Sequence, residues 1–412
     1  MSDTFLFDLQ NTGRMKYSKG DKLEPELIWK TQLPSFPEYG AESNCIIDDD
    51  GNLYFGCHNG VFYSLDITGK IRWTFFTGGK IYSSPTFIHD DGVVVGSGSG
   101  YLYCFSRCGN LKWTYRITHK KDIKSQYSIV DLSYRITRSI YSKVRETIMN
   151  YIHTDGYYSK NINEKTIAIW ASPKVLDSNT ILLSGSGIGL HAVNAFNGQK
   201  KWSYNLGSPS YHIAGPVIDS ENNIYIPSKT RYLHCIDEEG TIKWVHDSKS
   251  NYHAWSTPTI DEEKRLLFYS RSLGEKKAII YALNFEGDLI WSVKINAAVR
   301  GSASISYLDY ILIGDFKGRL LFINKNNGSI IREVSLTKAE RGLWTTPSID
   351  KKGNIYISVK ETRYSGLIYC LDSEGNILWN YKTGKALSTP VLDGNGRLYF
   401  GNWNGEYICL QT

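Results

Sequence analysis

Apolar and polar positions alternate along this chain in short runs, and the runs are separated by Gly, Asp-Gly and Pro punctuation, which is the pattern of half-buried β-strands. One stretch shows the unit clearly. It opens on Ser83, Ser84 and Pro85, continues through an apolar run to Asp91 and Gly92, then reads Val93 to Gly96, Tyr101 to Phe105, Gly109 and Leu111 to Trp113. Four strands, A to D, account for it. The small-small-Pro opening returns at Pro173, Pro216, Pro258, Pro347 and Pro390, with Asn44 and Ala303 holding the place in two diverged copies. The terminal Trp returns at Trp29, Trp73, Trp113, Trp202, Trp244, Trp291 and Trp379, with Arg332 in a degenerate copy.

Most intervals between these Trp positions are about 40 to 47 residues, the period of a four-stranded propeller blade. Eight A strands are present, the last copy stops after strand C at Leu410, and Leu27 to Trp29 form an orphan D strand. Pairing that strand with the last copy closes the ring and removes two sheet edges. The expected fold is therefore all-β: one eight-bladed β-propeller of four-stranded blades over residues 1–412, closed by the N-terminal strand.

One segment breaks the repeat. Between blades 2 and 3, residues 118–165 form an insertion in which Leu132, Ile136, Ile140, Val144, Ile148 and Ile152 recur every four positions, a spacing that predicts a helix. We expect a helical insertion on the top rim, packed as a lid over the funnel; a partner-docking helix over 120–164 and a membrane-surface helix are the other readings. From His119 to Lys165 there are nine Lys/Arg against five acids, so much of the chain's net charge of +6 resides there.

Composition changes this picture little. Twenty-nine Tyr, 11 Trp and 37 Gly suit many strands and tight turns, and 41% hydrophobic with 21% charged residues excludes a disordered chain. A net charge of +6 in 412 residues is too mild to indicate nucleic acid. No apolar run approaches a membrane span, and Asp3 and Asp8 stand where an export signal would be basic and then apolar, so a soluble cytoplasmic protein is expected. Seven Cys occur without metal-ligand spacing; Cys104, Cys235, Cys370 and Cys409 share one strand position with Ala192 and Ala282, as small reduced core residues would.

Units ending in Gly-x-x-x-Trp and opening on small-small-Pro, with a lead-in from Asp8 to Gly13, resemble the pyrroloquinoline quinone (PQQ)-like repeats of quinoprotein-type propellers. The resemblance covers the chain outside 118–165. It implies the propeller fold, which in that family serves alcohol and sugar dehydrogenases, an outer-membrane assembly lipoprotein and assorted binding proteins. The family's dehydrogenases resemble one another in a vicinal Cys-Cys disulfide over the quinone, which this chain lacks. No PQQ, other cofactor or metal is therefore expected.

Strand order puts the D-to-A connections and B-to-C turns on one rim, and that rim is the irregular one. Counted two residues before each Pro position, Glu42 is the one acid among small residues; one step earlier Tyr82, Trp170, Trp255 and Trp344 stand with a single cation, Arg300. His212, His253, Arg341 and Lys385 lie in the same connections. Aromatic walls with cations suit a planar anion. Glu42, His212 and His253 are the candidate acid–base groups, and Tyr82, Trp170, Trp255, Arg300, Arg341, Trp344 and Lys385 the candidate ligand contacts. One functional reading is a lidded small-molecule funnel, extending to a cofactor-free enzyme acting on an anionic planar substrate. The alternative is a protein-binding scaffold or assembly factor working through the top rim and inserted helix.

Overall fold

A computed structural model describes residues 7–17, 24–34, 40–89, 91–117, 168–185, 189–206, 214–229, 231–250 and 252–412. They form eight four-stranded antiparallel sheets, each in simple A-B-C-D order. Blades 1 to 7 occupy residues 46–76, 86–116, 174–204, 217–247, 259–295, 304–335 and 348–384. Blade 8 takes three strands from 391–411 and its outermost strand from Glu26–Gln32. That N-terminal strand runs antiparallel to Glu406–Gln411, with Leu27 opposite Leu410 and Trp29 opposite Cys409, so the expected closure is present.

The helical part of the expected fold is corrected. Every regular element among the described residues is a strand, and none is an α-helix. The segment 118–165, on which the helix and the lid were placed, lies outside the described residues.

The repeated Gly and Trp are two halves of one blade-to-blade joint. Each C-to-D turn closes on a glycine at positive φ, 85° at Gly240 and 92° at Gly287, and the Trp of the preceding blade lies flat against it. A Cβ on Gly240 would sit 2.8 Å from the Trp202 ring, so only glycine leaves room for the indole. The indole N–H then donates to a carbonyl of that same turn: Trp73 to Arg107, Trp113 to Ala195, Trp202 to Glu238, Trp244 to Phe285 and Trp291 to Lys325. Trp29 donates to Ile67 and so makes the joint between the closing strand and blade 1. Across each blade a small residue stands opposite the Trp, as Cys104, Ala192, Cys235, Ala282 and Cys370 do. Blade 6 inverts the arrangement. There Arg332 replaces Trp, the residue opposite enlarges to Phe322, and the Phe322 ring lies over Gly375 instead.

The small-small-Pro opening has an equally local cause. At most joints the side chain in the pre-Pro place accepts the corresponding backbone N–H of the preceding blade: Asn44 N–H bonds Ser84 Oγ, Ser84 N–H bonds Ser172 Oγ, Gly215 N–H bonds Thr257 Oγ1, and Ser302 N–H bonds Thr346 Oγ1. Thr389 N–H bonds Asn44 Oδ1 and carries the series across the closure. Asn44 therefore holds the pre-Pro place, and Cys45, just before the strand Ile46–Ile47, holds the Pro place. The sequence register of blade 1 was one residue short.

The lower mouth of the channel is threaded by residues 7–17. Carbonyls of Leu9, Gln10, Thr12 and Gly13 accept from Ile218, Ile260, Ile305 and Ile349, the inner strands of blades 4 to 7. Lys174 of blade 3 donates to the Asp8 carbonyl, and Leu392 of blade 8 donates to the Met15 sulfur. The thread thus touches six consecutive blades. Lys174 is buried where other blades carry Thr, Ser, Val or Ile, and burial lowers its ammonium to about 7 although Asp8 acts to raise it.

Candidate functional site

The upper mouth is built from the third residue before each Pro position. With blade 1 in its structural register, the ring reads Glu42, Tyr82, Trp170, Ile213, Trp255, Arg300, Trp344 and Leu387, of which Ile213 lies outside the described residues. Glu42 and Arg300 are therefore members of one ring. They are not partners: blades 1 and 6 are three places apart, and the structure resolves two separate clusters.

The first cluster spans the seam between blades 8 and 1. Trp403 Nε1 donates to one Glu42 oxygen at 2.7 Å, and His58 Nε2 lies 3.2 Å from the other. Lys385 Nζ lies 3.1 Å from the Trp403 ring centroid, the His58 ring is 4.2 Å from Tyr82, and Tyr82 is 4.6 Å from Trp170. Burial pushes the Glu42 carboxyl up, but His58, the Trp403 hydrogen bond and Lys385 together outweigh it, so the group sits below the usual glutamate range. A carboxylate so flanked is a structural tie more than a waiting base.

The second cluster spans blades 5 to 7. The guanidinium carbon of Arg300 lies 3.5 Å from the Trp255 ring centroid, 5.2 Å from Trp344 and 5.6 Å from Phe316. Burial, then the nearby Arg341, lower Arg300 to about 10, against the opposing effect of Glu275. The Nε of Arg300 and the Nε1 of Trp255 are both buried with no acceptor among the described residues.

The remaining candidates disperse. His212 lies outside the described residues. His253 is exposed and exchanges both backbone hydrogen bonds with Ser272. Arg341 is ion-paired to Glu275. Much of the apparent surplus of rim cations is already committed. Arg231 pairs with Asp247, and Arg271 is fully buried, donating to the carbonyls of Tyr232, Tyr252 and Ser228. Three contributors were not among the candidates, Trp403, His58 and Phe316. All three occupy the second place of a four-residue B-to-C turn, so aligning those turns blade against blade would have found them.

A second departure from the repeat lies on the outer edge. In every blade strand D bulges just before the Trp position, leaving one extra residue. In blades 1 to 4 that residue is Arg72, Lys112, Lys201 and Lys243; in blades 5 to 8 it is Ile290, Ile331, Leu378 and Ile28. Three of the cations fold back onto their own blade, Arg72 to Tyr54 and Ser64, Lys201 to Thr180, and Lys243 to Asn223. The aliphatic residues stay outside: Ile331 is 57% exposed, Ile290 48%, Leu378 43% and Ile28 41%, each preceded by a further exposed aliphatic. Four adjacent blades thus carry an apolar half-belt near their C-to-D turns.

Residues 190–412 match the family model described as outer membrane protein assembly factor BamB. A protein of that name from Yersinia pestis is 23% identical over 304 residues, spanning 66% of this chain and 72% of its own length. BamB from Moraxella catarrhalis superposes with a TM-score of 0.64 at 14% identity, over 94% of this chain and all of that one. The quinohemoprotein alcohol dehydrogenase ADHIIG from Pseudomonas putida HK5 superposes at 0.58 and 12% identity, over 87% of this chain and 75% of that one. A computationally designed protein, Ika8, does so at 0.65 and 12%, over 94% and 100%. At such identities the structural likeness speaks for the fold alone, and the expected PQQ-like repeat propeller is what it supports.

Proposed function

We propose, for a chain that belongs to the outer membrane protein assembly factor BamB family of propellers, that it works as a protein-binding scaffold. The observation that carries this is the apolar half-belt of blades 5 to 8. Soluble proteins seldom leave rows of large aliphatics exposed without covering them in an assembly. The same position in blades 1 to 4 holds Arg or Lys, so the fold itself does not require an apolar residue there. The small-molecule enzyme reading loses support, because Glu42 accepts from Trp403 and faces His58, and the described His candidate, His253, is exposed and bonded to Ser272 instead. Protein partners, rather than a small anion, are the reading these observations favour.

The repeat supplies its own test. Ile290→Lys, Ile331→Lys and Leu378→Lys together give blades 5 to 7 a residue type that blades 1 to 4 already carry. A photo-crosslinking residue at position 331 should trap a defined protein partner in cells, the same residue at 201 should not, and the triple variant should lose the adduct while keeping its melting temperature. Equal adducts at 331 and 201 would sink the proposal.

A further inference from the structure

We propose that the recess formed by Arg300, Trp255, Trp344 and Phe316 at the upper mouth binds a carboxylate presented by a polypeptide, either an Asp or Glu side chain or a C-terminus. The inference rests on the scaffold reading for the source of the carboxylate, but it concerns a different surface and different residues from the apolar half-belt.

Arg300 is committed in an unusual way. Its flat surface is covered by indole and phenyl rings, with Trp255 at 3.5 Å, which leaves the in-plane N–H groups to make directional bonds. None is made: Nε is buried without an acceptor, and no carboxylate among the described residues lies within ion-pair reach. The acid nearby, Glu275, is spent on Arg341. Arg397 also has a buried Nε without an acceptor, so what sets Arg300 apart is the cover of three aromatic rings. Arg231 has Asp247, Arg319 has Asp315 and Glu333, and the fully buried Arg271 has three carbonyls. The opposite charge of the same ring, Glu42, has Trp403 as a donor and His58 beside it.

The unmet groups are all donors. Arg300 offers a planar fork, and Trp255 Nε1 beside it is also buried and unpaired. A carboxylate matches that fork with two parallel hydrogen bonds and keeps lone pairs for the indole. A phosphate fits less well. It brings about two negative charges, whereas Arg341 already holds Glu275 and Lys385 lies over Trp403 in the other cluster. The aromatic walls suit the apolar stem that carries an acidic side chain or a chain terminus. Exclusion of water by those walls raises the value of each charge-assisted bond.

The test uses the full chain and heptapeptide pools with random flanks, blocked at both ends, carrying Glu or Gln at the centre. A third pool has a free C-terminus and a fourth its amide. Immobilised wild-type protein should retain the Glu pool, the free-acid pool or both roughly tenfold over the neutral counterpart, as a charge-assisted pair requires. Arg300→Met keeps the packing on Trp255 and should bring the ratio to about one; Arg300→Lys should restore only part of it. A ratio near one on the wild type overturns the proposal, as does a preference that survives Arg300→Met. Displacement of the bound pool by millimolar acetate at an affinity equal to the peptides' own would assign the recess to small carboxylates and overturn the polypeptide source. The triple Lys variant of blades 5 to 7 separates this site from the scaffold reading. Loss of its partner adduct with the Glu preference intact leaves the recess standing, and the converse result leaves the half-belt standing.

Discussion

At the lower mouth of the channel the blades reuse the same few devices, while at the upper mouth no two adjacent blades agree. Below, Asp48, Asp219, Asp350 and Asp393 each fold a side chain over the turn that follows and accept from the Tyr six residues on. Glycine and indole meet in the same manner at joint after joint, and the thread bonds inner strands in succession. Above, one ring position holds an acid, a cation, aromatics and aliphatics. The difference teaches where stability resides. Blade-to-blade joints need identical parts because each blade is both socket and plug, whereas residues facing the open mouth are released from that demand.

That division can be broken experimentally. The largest effect should follow removal of residues 1–32, which strips the thread, the closing strand and Trp29 from its socket on Gly69. A fully buried Trp is worth about 3–5 kcal/mol against a typical total of roughly 5–15, and the partly buried Trp29 contributes a share of that beside the lost strand and thread. Calorimetry should find no cooperative transition near that of the intact chain, and an unchanged melting temperature would refute closure by this strand. Next comes a matched pair of glycines. Gly240→Ala meets both a left-handed backbone and the Trp202 ring and should cost about 3 kcal/mol in urea unfolding. Gly274→Ala, left-handed but with nothing within 4 Å of its added carbon, should cost about 1 kcal/mol. Equal costs would show that the lower joints are no more constrained than the upper turns.

The smallest effect sharpens the upper side. Because the Glu42 carboxyl sits below its ordinary value of 4.5 in the fold, its contribution is complete above that pH and disappears as the pH falls through the depressed value. Glu42→Gln should therefore lower the melting temperature slightly at pH 7 and lose that deficit as the pH falls below about 4.5, which flattens the acid limb of the profile. A parallel shift at all pH values would mean that the tie to Trp403 and His58 matters for its shape and not its charge.

The same division decided what was legible in the sequence. Period, blade count and closure could be read because Gly240, Trp202 and their equivalents do one job at fixed spacing. The lead-in from Asp8 to Gly13 stood out, but its course as a thread could not be read, since it is held largely by its own carbonyls and no side-chain spacing names the strands it bonds. Glu42 was placed one step off because blade 1 has Cys45 where a Pro would have marked the register. The ring's charges were identified correctly, yet their grouping was not. Partner choice depends on angular distance between blades and on turns such as that of His58, which no repeat spacing encodes. Arg271 looked like a rim cation for the same reason, although three carbonyls enclose it.

The thread also bears on the order in which the molecule can be made. Residues 9–13 bond to inner strands at 218, 260, 305 and 349, and the closing strand pairs with 406–411, so the segments made first find their partners among those made last. During synthesis the early blades stand as an open arc with a free edge at each end. Such long-range pairings form late and slowly, and exposed edges invite the wrong neighbour in the meantime. A ribosome-bound chain ending near residue 390 should therefore be protease-sensitive throughout its length, acquiring resistance all at once when the last strand emerges.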